Sequence, residues 1–253
     1  MTLSLIAFLF LAGLTGGILS AVAGGASFVT FPALIFLGLP PITANATNFV
    51  ALLLAQPAAL VTAFRSEVKA SIATLGPSLA IATLGGLVGS LLLVLTPEVT
   101  FKSMIPYLMG VATIAFAGGP RIRRWAKEHA RAELRTAGVL YLLLLLLLSI
   151  YTGYFGAGVG MMLLAMLAIF GEDDIHTANA VKNLLITASS IVSVIVYAAS
   201  AAIAWPEALV MMVGATLGGA LGGWATKIIP QTALRSAISI FGVVLTIYYF
   251  FKY

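Results

Sequence analysis

Apolar runs at about residues 3–22, 42–64, 71–95, 101–117, 137–155, 175–200, 208–226 and 234–251 divide the chain. Each comes close to the ~20 residues that cross a bilayer as helix. Lipid offers the backbone no hydrogen-bond partners, so each run must satisfy its own N–H and C=O groups, which makes helix the spanning element. The fold class that follows is an all-α integral membrane protein. Composition leaves almost nothing for a soluble domain: 61% of the 253 residues are hydrophobic and 8% charged, against about 25% charged in ordinary soluble proteins. The opening Met1-Thr2-Leu3-Ser4 has no basic residue, so the first run reads as a retained span rather than a signal peptide.

The net charge of +5 comes largely from one place, where Arg121, Arg123, Arg124, Lys127, Arg131 and Arg135 cluster. A basic cluster between apolar runs marks a cytoplasmic loop and not a nucleic-acid surface. Cysteine is absent, which excludes disulfides, thiolate metal sites and cysteine nucleophiles.

The chain repeats itself. Ala82-Thr83-Leu84-Gly85-Gly86 and Gly89 recur 133 residues later as Ala215-Thr216-Leu217-Gly218-Gly219 and Gly222, and Pro97 and Lys102 map to Pro230 and Arg235 in the same register. Thr43-Ala44-Asn45-Ala46 recurs as Thr177-Ala178-Asn179-Ala180, one residue further on. The pattern is a duplication, with halves at 1–120 and 137–253 joined by a basic linker, 121–136. Arg65 and Lys69 follow the first polar-striped run, whereas the equivalent stretch 201–207 holds no cation. With the linker cytoplasmic, this asymmetry favours inverted-topology halves with both termini outside; parallel four-span halves are the alternative.

Each half reads as four long helices plus a short one set off by a small-residue break. The breaks are Ala21 to Ala26, with Gly24 and Gly25, and Gly156-Ala157-Gly158-Val159-Gly160. Glycine at this density cannot sit in a helix interior without cost. The short pieces, Ser27 to Leu37 and Met161 to Phe170, span only about 16 Å as helix, so they are half-helices or re-entrant segments. Irregular backbone at membrane depth persists where it packs in protein or lines a cavity.

Facing the breaks are two polar stripes. Asn45, Asn48 and Gln56 share one face in the first half, taking 42–64 as one helix, and Asn179, Lys182, Asn183, Ser190, Ser193 and Tyr197 share one in the second. Freed backbone N–H groups, carboxamides and one cation form a complement for a small anion. The candidate binding residues are therefore Gly24, Gly25, Asn45, Asn48, Gln56, Gly156, Gly158, Gly160, Asn179, Lys182 and Asn183. Polar residues on membrane helices also act as interhelical glue, the competing reading for each alone.

Glu172, Asp173, Asp174 and His176 suit a helix N-terminus rather than a metal, and no cofactor motif is present. No Asp or Glu lies mid-span, so proton coupling would fall to Lys182, His176 or the anion itself. An intramembrane enzyme is disfavoured because neither His-Glu-x-x-His nor Gly-x-Ser-x-Gly occurs.

Phe31-Pro32-Ala33-Leu34, then Gly38-Leu39-Pro40-Pro41 ahead of Thr43-Ala44-Asn45-Ala46-Thr47-Asn48, together with the duplicated breaks and Gly-Gly helices, resemble the TauE/SafE family of membrane permeases over nearly the whole chain. The first break carries Ala23 and Ala26 where that family often shows glycine, and no proline matches Pro32 in the second half. The resemblance implies a secondary transporter in a bacterial or archaeal cell membrane, exporting sulfite or a short organosulfonate. A permease for another small anion or weak acid, or a structural assembly partner, are the other readings.

Overall fold

The computed structural model describes residues 1–63, 75–129, 138–172, 174–225 and 231–253. Arg65, Lys69, Arg131, Arg135 and Asp173, which enter the charge readings above, lie outside them. The described residues form helices α1 (Leu3–Ala23), α2 (Ser27–Phe36), α3 (Pro41–Leu52), α4 (Ala55–Ala63), α5 (Gly76–Leu95), α6 (Glu98–His129), α7 (Gly138–Tyr154), α8 (Val159–Ile169), α9 (Ile175–Ala199), α10 (Trp205–Ala225) and α11 (Gln231–Lys252).

Among the described residues six segments are long and apolar enough to cross a membrane: Leu3–Val22, Pro41–Ala63, Gly76–Leu95, Glu98–Gly119, Ile175–Ala199 and Trp205–Trp224. The apolar helices Gly138–Tyr154 and Ser236–Lys252 are shorter. Trp205 and Trp224, both exposed, stand near the two ends of α10, about 28 Å apart at the helical rise. That separation matches the ~30 Å hydrocarbon layer, where tryptophan favours both interfaces. Leu91, Val111, Ile114, Ile195, Val213 and Leu221 are exposed on the outer surface, as a lipid-facing belt requires.

Four local expectations change. The run 42–64 is not one helix: α3 ends at Leu52 and α4 begins at Ala55 across a turn at Leu53 and Leu54. Pro57 has no N–H to offer the carbonyl of Leu53 four residues back, and its ring crowds that group, so the helix breaks there. The first break is narrower than read, because α1 continues through Ala23 and ends on Gly24 in the left-handed region at φ 72°. The second is also narrower, since Gly158 at φ 71° caps α8 while Gly160 lies inside that helix. Gly24 and Gly158 are 134 residues apart in the chain, yet Gly24 closes α1 whereas Gly158 opens α8. The basic stretch begins as helix and not as loop, because α6 runs on through His129.

The opening helix of each half packs on the glycine-rich helix of the other. A methyl group on Gly13 would sit 2.1 Å from the Met211 carbonyl oxygen, one on Gly17 2.1 Å from that of Ala215, and one on Gly218 2.1 Å from that of Leu14. The backbones of α1 and α10 therefore touch directly, the close approach that small residues permit in membranes. The same arrangement recurs between α5 and α7, where Gly85 meets Ser149 and Gly89 meets Gly153 and Tyr154. Ser189 donates to the Ala82 carbonyl at 2.7 Å and Ser193 to that of Gly86 at 3.2 Å, fastening α9 to α5. α6 and α11 run antiparallel: Lys102 lies over the Tyr253 ring, Tyr107 meets Phe250 edge-on, and the Thr113 and Thr246 hydroxyl oxygens stand 3.4 Å apart.

Candidate functional site

A cavity lies where the two breaks meet. Ser20 and Gly24 come from the end of α1, Ala26 and Ser27 from the start of α2, Asn48, Phe49 and Leu52 from α3, and Gln56 from α4. The second half contributes Thr152, Phe155, Gly156 and Val159 around its break, with Ile186 and Ser190 from α9. Free room for water-sized spheres amounts to about 40 Å³. One water needs about 10–15 Å³ by that measure, so the space holds a few waters or one compact anion.

The polar groups differ in how far they are already committed. The Asn48 carboxamide oxygen accepts from the Thr30 hydroxyl, and its nitrogen donates to Ser27 Oγ at 3.1 Å. Thr152 donates to the Leu148 carbonyl at 2.7 Å. Ser20, Gln56 and Ser190, by contrast, make no side-chain hydrogen bond among the described residues and retain their donors. No charged side chain lines the space.

For Gly24, Gly25 and Gly156 the expected role does not hold at the backbone. The Gly24 N–H donates to the carbonyls of Leu19 and Ser20 at 2.9 and 3.0 Å, Gly25 N–H to Leu19 at 3.4 Å, and Gly156 N–H to Tyr151 at 3.0 Å. These amides close the ends of α1 and α7, as left-handed helix caps do. The open amides belong instead to the helices that start there. Ala26 and Ser27 at the start of α2, and Gly158 and Gly160 at the start of α8, have no backbone acceptor among the described residues, whereas the Val159 N–H donates to the Gly156 carbonyl at 3.4 Å. Two helix N-termini, each carrying partial positive charge, therefore border one cavity.

Of the residues expected from sequence, Gly24, Asn48, Gln56 and Gly156 come together in the lining, and seven do not. Gly25 packs on the Phe116 ring and Gly158 on the Ala112 carbonyl of α6. Gly160 abuts Gly24. Asn45 spans the halves, its nitrogen donating to the Tyr154 carbonyl at 2.9 Å, while its buried oxygen has no partner. Asn179 donates to the Ile175 carbonyl at 2.9 Å and accepts from Lys182 Nζ at 3.0 Å. Lys182 and Asn183 are completely buried, and neither polar atom of the Asn183 side chain has a partner. Ser193 and Tyr197 act as glue, Tyr197 donating to the Gly153 carbonyl.

Sequence reasoning missed Ser20 and Thr152, and the signal was available. Each sits four residues before a left-handed glycine, Gly24 or Gly156, hence one helical turn back on the same face.

The sulfite exporter TauE/SafE family matches residues 9–249. A probable membrane transporter protein of Haemophilus influenzae is 28% identical over 245 residues, spanning 96% of this chain and 94% of its own. The probable membrane transporter protein ORF9 of Sinorhizobium sp. is 27% identical over 218 residues, 86% and 82% of the two chains. The probable membrane transporter protein YfcA of Escherichia coli K12 is 25% identical over 244 residues, 96% and 88%. No solved structure matches. With a match running almost from end to end and six helices fit to span a bilayer, the chain belongs to the sulfite exporter TauE/SafE family and is a multi-pass transporter of the cell membrane, not an enzyme.

Proposed function

We propose that the protein is a secondary transporter that exports a small sulfur oxyanion, such as sulfite or a short organosulfonate. The observation that carries this reading is the pair of half-helix N-termini, Ser27 and Val159, bordering a cavity with uncommitted donors and no carboxylate. Aligned peptide dipoles favour negative charge at that end of a helix. A sulfonate presents three acceptor oxygens, which Ser20, Gln56, Ser190 and the Ser27 amide complement with donors. Phe49, Phe155, Leu52 and Ile186 complete the lining and suit a substrate with a short apolar tail. With no titratable group in the lining, a coupled proton would travel on the anion or through Lys182.

The halves 1–120 and 137–253 are proposed as inverted repeats around the linker 121–136. Support comes from α6 and α11, which are register mates 133 residues apart and pack antiparallel through Thr113 and Thr246. A second reading, a permease for another small anion or weak acid, draws on the same cavity, whose donors are not specific to sulfur.

Purified protein in sealed vesicles tests the proposal. Preloaded sulfite, taurine or sulfoacetate should leave the vesicles faster than from protein-free controls, with chloride retained. Failure to move all three, alongside movement of acetate or another weak acid, would transfer the assignment to the second reading.

A further inference from the structure

The two halves contribute unequally to the cavity, although their sequences correspond. At the offset of 134 residues Asn48 corresponds to Lys182, Phe49 to Asn183, Leu52 to Ile186 and Gln56 to Ser190. Leu52 with Ile186 and Gln56 with Ser190 line the space as pairs, but only the first-half members Asn48 and Phe49 do so, without Lys182 and Asn183. Those two are shut away at 0% and 1% exposure. What they leave unsatisfied is specific. Lys182 has three N–H donors and a single acceptor, Asn179 Oδ1 at 3.0 Å, and both polar atoms of the Asn183 side chain are unpartnered. An uncompensated ammonium and an orphaned carboxamide at membrane depth are costly, and no acid among the described residues forms an ion pair with the lysine.

A second asymmetry matches the first. In the second half the half-helix α8 lies tightly on α6, where a methyl on Gly158 would sit 2.8 Å from the Ala112 carbonyl oxygen and one on Gly119 3.2 Å from Met161 Cβ. The corresponding pair in the first half, α2 and α11, meets only through side chains, Phe31 on Tyr249 and Phe28 beside Gly242, and is flanked by an apolar groove of about 510 Å³ that includes Val29, Pro32, Phe241 and Tyr249. One half-helix is clamped over a sealed polar pair, and its counterpart is held by side chains alone beside an open cavity.

We infer that Lys182 and Asn183 form a second anion-binding position, closed in this conformation and opened when α8 leaves α6 as α2 closes on α11. The two halves exchange conformations, and the anion passes from the cavity at Asn48 and Gln56 to the lysine, crossing Ile186. This rests on the transport reading above. It identifies the second ligand as the same small oxyanion, because an ammonium and a carboxamide nitrogen offer donors to oxygen and lack a counter-charge of their own.

The natural absence of cysteine makes single-cysteine reporters direct. Gln56→Cys, Asn183→Cys and the buried apolar control Leu185→Cys are reconstituted in vesicles and treated with a small anionic methanethiosulfonate sulfonate. The expected order is Gln56→Cys fastest, Asn183→Cys at least about tenfold faster than Leu185→Cys, since local opening exposes only the moving element. Lys182→Cys is a second reporter should Asn183→Cys not fold. Labelling of both no faster than Leu185→Cys overturns the inference. A disulfide between Gly119→Cys and Met161→Cys, whose Cβ positions lie near the about 3.5–4.5 Å such a bridge needs, should stop efflux until reduced; undiminished efflux in the oxidised form also overturns it. Wild-type vesicles that move no oxyanion would remove the transport reading alone, because thiol labelling registers the opening without substrate.

Discussion

The Thr113 and Thr246 hydroxyl oxygens stand 3.4 Å apart, and the two residues are 133 positions apart in the chain, the same offset that relates the two Gly-Gly motifs. A residue touching its own register mate is what a pseudo-twofold axis between α6 and α11 produces. Nearby, Gly242 packs on Thr113 and Gly110 on Thr246, two glycines 132 positions apart, one short of that register.

The first prediction tests the proposed inverted arrangement. Reporter fusions at residues 66 and 203, in equivalent connections of the two halves, should fall on opposite sides of the membrane, with both termini outside. Cytoplasmic signal from both fusions would exclude the inverted arrangement.

Glycines under backbone contact should separate from glycines under strain alone. A methyl on Gly160 would lie 2.8 Å from Gly24 Cα, and one on Gly86 2.5 Å from the Ser189 carbonyl oxygen, whereas Gly38, at φ 86°, has nothing within 4 Å. Gly160→Ala and Gly86→Ala should each cost about 1–3 kcal/mol by overpacking, while Gly38→Ala loses only the about 1–2 kcal/mol of a left-handed backbone. Melting temperatures of the purified variants check the order, and Gly86→Leu should fail mainly in folded yield.

Removal of one donor from the cavity should weaken anion binding without harming the fold. Gln56→Ala forgoes a hydrogen bond worth about 0.5–1.5 kcal/mol, hence roughly three- to tenfold in affinity, read as a smaller thermal shift with added sulfite. Ser193→Ala, which breaks a bond to the Gly86 carbonyl outside the cavity, should lower stability and leave affinity within about twofold.

Lys182 separates binding from movement. Lys182→Met removes a buried charge and keeps the stem volume, so the fold should persist, as replacement of buried ionic groups by apolar ones often allows. Anion-induced stabilisation at the cavity should be retained, whereas efflux should fall by about tenfold or more, with partial recovery in Lys182→Arg because charge returns with altered geometry. Unchanged efflux in Lys182→Met would make the residue structural.

Asp174 sets an acid limit on the start of α9. Its carboxylate accepts from the Thr177 N–H at 2.7 Å and from the Thr177 hydroxyl at 2.8 Å, and the backbone bond, then the hydroxyl, hold its pKa below the ordinary aspartate value. A depressed folded-state pKa stabilises above the unfolded value, about 3.9, and that contribution is lost as pH falls through the lower folded one. Asp174→Ala should therefore melt below wild type at pH 7, and the difference should close below about pH 4.

Much of the site's neighbourhood was legible because membrane sequences obey short-range rules. Run length set most of the helices, and Asp174 marked the start of α9. Asn48, Gln56, Gly24 and Gly156 were found because stripe and break are local patterns. The interruption at Leu53 and Leu54 is equally local, written in Pro57. Lys182 and Asn183 were not separable from the cavity by pattern, since they share its helix face.

What the sequence by itself determined is the class of solution: spans of apolar helix, duplicated, broken at glycine where the backbone must turn. These follow from what lipid forbids, residue by residue. Only the tertiary structure decided which amides stay open, because the N–H groups of Gly24 and Gly156 are spent on carbonyls one turn back, whereas Ala26 and Ser27, starting a new helix, have none to reach. It also decided that Asn48 meets the cavity while its counterpart Lys182 is sealed. That difference accompanies how α8 and α2 pack, a long-range property that no local pattern carries.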